Sequence, residues 1–205
     1  MRYVAMFIVA LVVVSSLAPH TAAQVLINEI LADPASDWNG DGSLDAKNDE
    51  WVELINTGSN PVDLSRYRVG DAVSWRYAPG GTLAPGQIVV LYGSDVVAWQ
   101  QAHGVGAFGL SLNNSGDTVR LCEIGASDTT VADTWTYGSG EVRDDRSIGR
   151  RPDGSAAWVV FDALNPYSGS ALPASGCMPS PGLSVQCALP VKETSWGALK
   201  SMYRR

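Results

Sequence analysis

Between Asp37 and Asp45 an oxygen-bearing side chain recurs at every second position: Asp37, Asn39, Asp41, Ser43 and Asp45, with Gly40 and Gly42 among them. Hard cations of the calcium type take about six to eight oxygens, and alternate Asx residues around a glycine-permitted turn let one short segment wrap an ion. The pattern matches the start of the D-x-[DN]-x-[DN]-G loop. Asp37, Asn39 and Asp41 would give side-chain oxygens, Ser43 its backbone carbonyl, and Asp45 a direct or water-mediated contact. The segment then departs from an EF-hand, because its twelfth position is Asn48 and no helical pattern flanks it. A closing ligand would come from Asp49 or Glu50 at the head of the next strand, or from Glu29 on the preceding one. The expected ion is Ca2+ in a structural role, offsetting carboxylate repulsion and pinning a long loop. The plainer alternative is an acidic surface loop, since Asn-Gly and Asp-Gly are ordinary turn dipeptides.

Other chemistry is thinly supplied. Nucleophilic hydrolysis needs a base within hydrogen-bond reach of the nucleophile, and the chain has two histidines. His20 falls in the leader described below. His103, in Gln101-Ala102-His103-Gly104, has no nucleophile-elbow pattern beside it and is expected as a surface or hydrogen-bonded residue. A glycosidase needs only a pair of carboxylates, but the densest acidic cluster is the cation-type loop, and Asp144-Asp145 between Arg143 and Arg146 reads as a solvated charged turn. The expectation is therefore no enzyme and no catalytic residue, with a metal-dependent hydrolase on the acidic loop as an alternative. Seven Trp and seven Tyr keep a carbohydrate-binding alternative open, with Trp38, Trp75, Trp99 and Trp135 as candidates to stack on sugar rings. The plainer expectation is that they fill a core.

The elements that would position these residues follow an exported leader. Met1-Arg2, an apolar run from Val4 to Val14 and the small-residue exit Thr21-Ala22-Ala23 read as a secretory signal peptide over residues 1–23. Export, whether extracellular, periplasmic or to the cell surface, is the expected localisation. A net charge of -7 disfavours nucleic acid as a partner, because phosphate binding draws on clustered Lys and Arg. With 45% hydrophobic and 17% charged residues the chain is globular. In an oxidising compartment Cys177 and Cys187, flanking a Pro/Gly/Ser-rich stretch, are expected to pair, and Cys122 to be a small core residue.

From Gln24 to Ser168 short β-type runs alternate with turn chemistry, the pattern of a sandwich or barrel. The runs are 25–31, 51–56, 61–64 continuing into 67–69, 73–77, 88–92, 118–122, 131–137 and 158–161. In Trp51-Val52-Glu53-Leu54 the alternation predicts a half-buried strand with Glu53 on the solvent side. Ile88-Val89-Val90-Leu91 is apolar throughout and predicts a central strand buried on both faces. A short helix is expected over Asp95–Ala102 with Ser94 as its cap. Residues 169–190 read as a linker with the candidate disulfide, and 191–205 as a sorting or docking helix, with Trp196, Leu199, Met202 and Tyr203 at helical spacing.

Five ordered segments carry a family resemblance: Val25-Leu26-Ile27-Asn28-Glu29-Ile30-Leu31, Glu50-Trp51-Val52-Glu53-Leu54-Ile55-Asn56, Pro61-Val62-Asp63-Leu64-Ser65, Leu83-Ala84-Pro85-Gly86 with Val89-Val90-Leu91, and Leu112-Asn113-Asn114-Ser115-Gly116-Asp117-Thr118-Val119. Together they resemble the lamin-tail domain in its bacterial form over about residues 25–168. The resemblance implies an all-β, immunoglobulin-like sandwich used as an interaction or tethering module, whose partner would be an extracellular protein or cell-surface component. Such domains are sometimes joined to nucleases or phosphatases, but the tail of roughly 35 residues is too short for a catalytic domain. The acidic loop is absent from nuclear lamin tails, so lamin-specific partners are not carried over.

Overall fold

The computed structural model describes residues 24–187. The expected leader and the expected helix over 191–205 lie outside the described residues. In chain order the elements are β1 (Val25–Leu31), β2 (Trp51–Asn56), β3 (Val62–Asp63), β4 (Tyr67–Gly70), β5 (Trp75–Tyr77), β6 (Thr82–Leu83), β7 (Ile88–Tyr92), α1 (Gly93–Ala102), β8 (Gly116–Ile124), β9 (Thr129–Gly138), β10 (Ser147–Arg150), β11 (Trp158–Phe161), β12 (Cys177–Met178) and β13 (Gln186–Cys187). Two antiparallel sheets, β11-β10-β1-β2-β7 and β5-β4-β8-β9, enclose one core. The all-β sandwich expected from the alternating runs is the architecture that forms.

Alternation decides which side chains meet in that core. Ile27, Ile30, Val52, Leu54, Ile148 and Val160 project from the five-stranded sheet, and Tyr67, Val69, Val119 and Leu121 from the other. Burying each such aliphatic side chain stabilises the fold by about 1.5–3 kcal/mol. At one corner an ion pair clamps the sheets together. Arg150 Nη2 donates to Asp133 Oδ2 at 2.8 Å, its Nε donates to the Ile27 carbonyl at 2.8 Å, and the Ile27 amide donates to Asp133 at 2.9 Å. Trp158, beneath the same guanidinium, stacks on Trp135 with ring centroids 4.0 Å apart.

Three local expectations need correction. Glu53 does not face water: it is fully buried, and its neighbours Trp51 and Ile55 on the same side of β2 are buried too, because more of the chain covers that side. The Ile88–Leu91 run is an edge strand paired with β2 alone, with Val89 and Val90 only half-buried. Its apolar character serves the core, in which Leu91 is buried and against which Val89 packs, while Val90 lies near Gly182 of the C-terminal segment. The helix starts at Gly93 with Tyr92 at its cap, where Asp95 accepts the Tyr92 amide at 3.3 Å. Gly93 is required there, since a Cβ would sit 1.8 Å from the Lys47 carbonyl oxygen.

What covers the outside of the five-stranded sheet is the segment expected as a linker. Residues 173–175 add to the edge of β11, the Val160 amide donating to Pro173 O at 2.9 Å and the Ser175 amide to Val160 O at 3.0 Å. The chain then crosses β10, β1 and β2 as a strap whose hairpin, β12 with β13, is closed by the Cys177–Cys187 disulfide. Met178 and Leu183 stay exposed on its outer side.

Candidate functional site

The acidic loop runs from Ala32 to Asp49 between β1 and β2. Gly40 and Gly42 hold φ of 74° and 89°, left-handed values that favour glycine and let the chain turn twice within three residues. The loop folds around its own carboxylates. Asp37 accepts the amides of Gly40 (2.8 Å), Asp41 (3.2 Å) and Gly42 (2.8 Å), and Asp41 accepts that of Ser43 at 2.8 Å. Asn39 Oδ1 accepts the Asp41 amide at 2.9 Å, while its Nδ2 donates to Asp41 Oδ2 at 3.2 Å. Asp45 Oδ1 caps the next turn, taking the amides of Lys47 and Asn48 at 3.0 and 2.9 Å. Asp49 is buried and accepts three amides, from Trp38, Asn39 and Asp45, within 3.0 Å.

Asp37, Asn39, Asp41 and Asp45 are thus on one loop, with Asp49 as its internal pillar. Among the described residues no three His, Cys, Asp or Glu side chains gather so as to hold a metal ion. The Lys47 and Asn48 amides both go to one Asp45 oxygen, Oδ1. Glu29 and Glu50 do not close the loop. Glu29 is engaged by Ser147 and Ser180 beneath the strap, and Glu50 accepts the Leu112 amide at 3.2 Å. Burial pushes the Glu50 carboxyl up to about 8 against the lowering effect of the Leu112 and Ser111 amides.

Of the four tryptophans considered for sugar stacking, Trp38 donates Nε1 to Asp145 at 2.7 Å and packs edge-on against Trp51. Trp99 is half-buried, stacked on His103 and edge-on to Tyr77, and Trp135 lies against Trp158. Only Trp75 is exposed, at 46%. It sits on the outer face of the four-stranded sheet, over Gly70, with the Arg120 guanidinium 4.6 Å from its ring centroid. Arg120 Nε donates to the Asp71 carbonyl at 2.7 Å, which holds the guanidinium over the indole. Asp71 is itself held by Arg76 through two bonds of 2.9 and 2.6 Å. Along the same face Thr118 and Thr136 share a hydroxyl contact of 2.8 Å. Val73, 80% exposed, stands in the adjoining turn. Composition alone could not pick this tryptophan out, because its exposure depends on Gly70 and Arg120 meeting it across strands.

The charged turn at 143–146 is only half solvated. Arg143 and Asp144 are exposed, but Asp145 and Arg146 are buried. Asp144 and Asp145 take φ of 39° and 65°, the conformation of a tight hairpin, and Asp145 gathers the Ala35 and Ser36 amides at 2.7 and 3.0 Å. Arg146 donates to the carbonyls of Gly140, Asn165 and Pro166 and forms the floor of a recess of about 500 Å³ with Tyr167. With its donors spent on carbonyls, Arg146 has little to offer a ligand. His103 Nδ1 carries a proton and donates to Trp99 O at 2.8 Å, as a hydrogen-bonded surface histidine would. Cys122 is a buried free thiol.

A family model described as Lamin Tail Domain matches residues 18–139. The match runs through β9 and stops short of β10, β11 and the strap. No curated protein and no solved structure matches the chain.

Proposed function

The chain belongs to the lamin-tail domain family, an immunoglobulin-like fold that is typically not catalytic, and from that premise we propose a secreted or cell-surface tethering module that binds an extracellular protein or surface component. The observation that supports this reading is the outer face of the four-stranded sheet, where Trp75 lies open beside a guanidinium anchored at Nε. Tryptophan and arginine are the residue types that most often dominate binding energy at interfaces. A ring and fork already held in place lose little side-chain freedom on docking.

The test is co-sedimentation of the protein with envelope fragments of its host cell. Trp75→Ala with Arg120→Ala is expected to weaken retention by roughly thirtyfold or more, the loss of one hot spot. Unchanged retention with the fold intact would overturn the reading. Competition by soluble glycans would point to carbohydrate as the partner instead.

The acidic loop enters the proposal as a calcium-stabilised support. The alternate spacing of Asp37, Asn39, Asp41, Ser43 and Asp45 and the two left-handed glycines favour it. When bound, the ion would supply positive charge to a loop whose carboxylates repel one another. Calorimetric titration of calcium into chelator-treated protein checks this: saturable binding lost in Asp41→Ala, with a higher melting temperature when loaded, is expected. No heat at millimolar-range calcium would leave the loop as the amide-bonded turn described above.

A further inference from the structure

The strap is fastened to the sandwich by acidic side chains accepting its hydrogen bonds. Asp162 takes the amides of Ser175 and Gly176 at 3.1 and 2.8 Å, and Asp153 takes that of Val185 at 3.3 Å. Between them Glu29 accepts the Ser180 amide at 3.2 Å and faces its hydroxyl at 3.0 Å, while Glu53 accepts the Gly182 amide at 2.7 Å. Glu29 and Glu53 are direct cross-strand partners on β1 and β2, and both are buried under the strap. Like charges placed so oppose each other, and among the described residues the ion pairs that form include neither of them.

Donor and acceptor geometry says where a proton can reside. Both Glu53 oxygens face N–H donors, Asn28 Nδ2 at 2.7 Å and the Gly182 amide, so Glu53 serves as the carboxylate. Asn28 cannot turn its amide round, because its Oδ1 already accepts the Gly154 amide at 2.8 Å. Glu29 Oε2 instead meets the Ser180 hydroxyl, which can accept a hydrogen bond as readily as donate one. Its Oε1 receives the Ser147 hydroxyl at 2.5 Å. The other titratable groups facing the pair are Asp153, 3.2 Å from Asn28 Nδ2, and Tyr92, near the Glu53 charge.

We propose that residues 173–187 form a proton-coupled latch: closing over Glu29 and Glu53 takes up one proton, held between Glu29 Oε2 and Ser180 Oγ, and lifting returns that proton to water. Opening uncovers Phe161 and the two glutamates. The direction agrees with burial, which pushes Glu29 up to about 8, with the neighbouring Glu53 charge raising it further. An acid whose closed-state value is raised favours closure fully below the ordinary carboxylate range. That preference is lost as pH climbs to the raised value. The strap lies beyond residue 139, outside the family match, and the latch does not depend on the bare face around Trp75.

Hydrogen exchange of the Ser180 and Gly182 amides tests it, on the chain with its disulfide intact and corrected for the intrinsic rate. One-proton linkage predicts that protection falls roughly tenfold per pH unit from about pH 5 and levels off above the raised value. Glu29→Gln should remove that slope and keep the strap protected. Glu53→Gln should keep the slope but bring the plateau to lower pH, because the opposing charge is gone. The Val119 and Leu121 amides in β8 report in the same samples that the sandwich is folded. A flat wild-type profile, a slope that survives Glu29→Gln, or an unmoved plateau in Glu53→Gln would overturn the latch.

Discussion

The two sheets treat their outer faces in opposite ways. The five-stranded sheet hides Glu29, Glu53, Trp51 and Phe161 under added chain, whereas the four-stranded sheet leaves Trp75 in water with Arg120 stacked on it. Buried acids need hydrogen-bond partners, and the strap brings them as the amides of Ser180 and Gly182 and the Ser180 hydroxyl. No comparable segment lies over Trp75 among the described residues. One face is committed to folding, and the other is left open, where the proposed partner would dock.

Substitutions on the covered face should cost stability and leave binding alone. Phe161→Ala removes a fully buried ring from that face and is expected to cost about 3–5 kcal/mol in denaturant unfolding. Replacing Cys177 and Cys187 by serine opens a loop with a sequence separation of 10, at a cost of about 3 kcal/mol by the same measurement. The pH dependence is graded. Glu29 and Glu50 are both pushed up by burial, so stability is greatest below the ordinary carboxylate range and falls as pH rises toward about 8. Each such acid contributes at most about 1.4 kcal/mol per pH unit within its own window. Thermal melts from acid to mild alkali check the sign, and Glu50→Gln should flatten part of the slope. Smallest of all, Trp75→Ala on the bare face should change unfolding by less than about 1 kcal/mol while weakening retention on envelope fragments. If it unfolds the protein instead, the contrast between the faces is lost.

Much of this was legible in the chain. β1, β2, β7 and β11 stand where the apolar runs place them, and the paired cysteines are the pair expected. β10 was not legible: Ser147-Ile148-Gly149-Arg150 carries one aliphatic residue, and it is a strand because β1 and β11 flank it. Glu53 reads as solvent-facing in the alternation, since the segment that buries it lies 129 residues away. The strap's Gly, Ser and Pro composition resembles a linker because its partners are distant carboxylates and not its own hydrophobic side chains. In the acidic loop the spacing of Asp37, Asn39 and Asp41 was plain, but the role of Asp49 as an amide-accepting pillar depends on its burial.

The most direct measurement is hydroxyl-radical footprinting of the protein free and bound to envelope fragments, read at Trp75, Met178 and Leu183. These side chains are exposed on the two faces being compared. Protection of Trp75 on binding, with Met178 and Leu183 unchanged, is the predicted result. Protection of Met178 and Leu183 with Trp75 unchanged would place the partner on the strap and contradict the account.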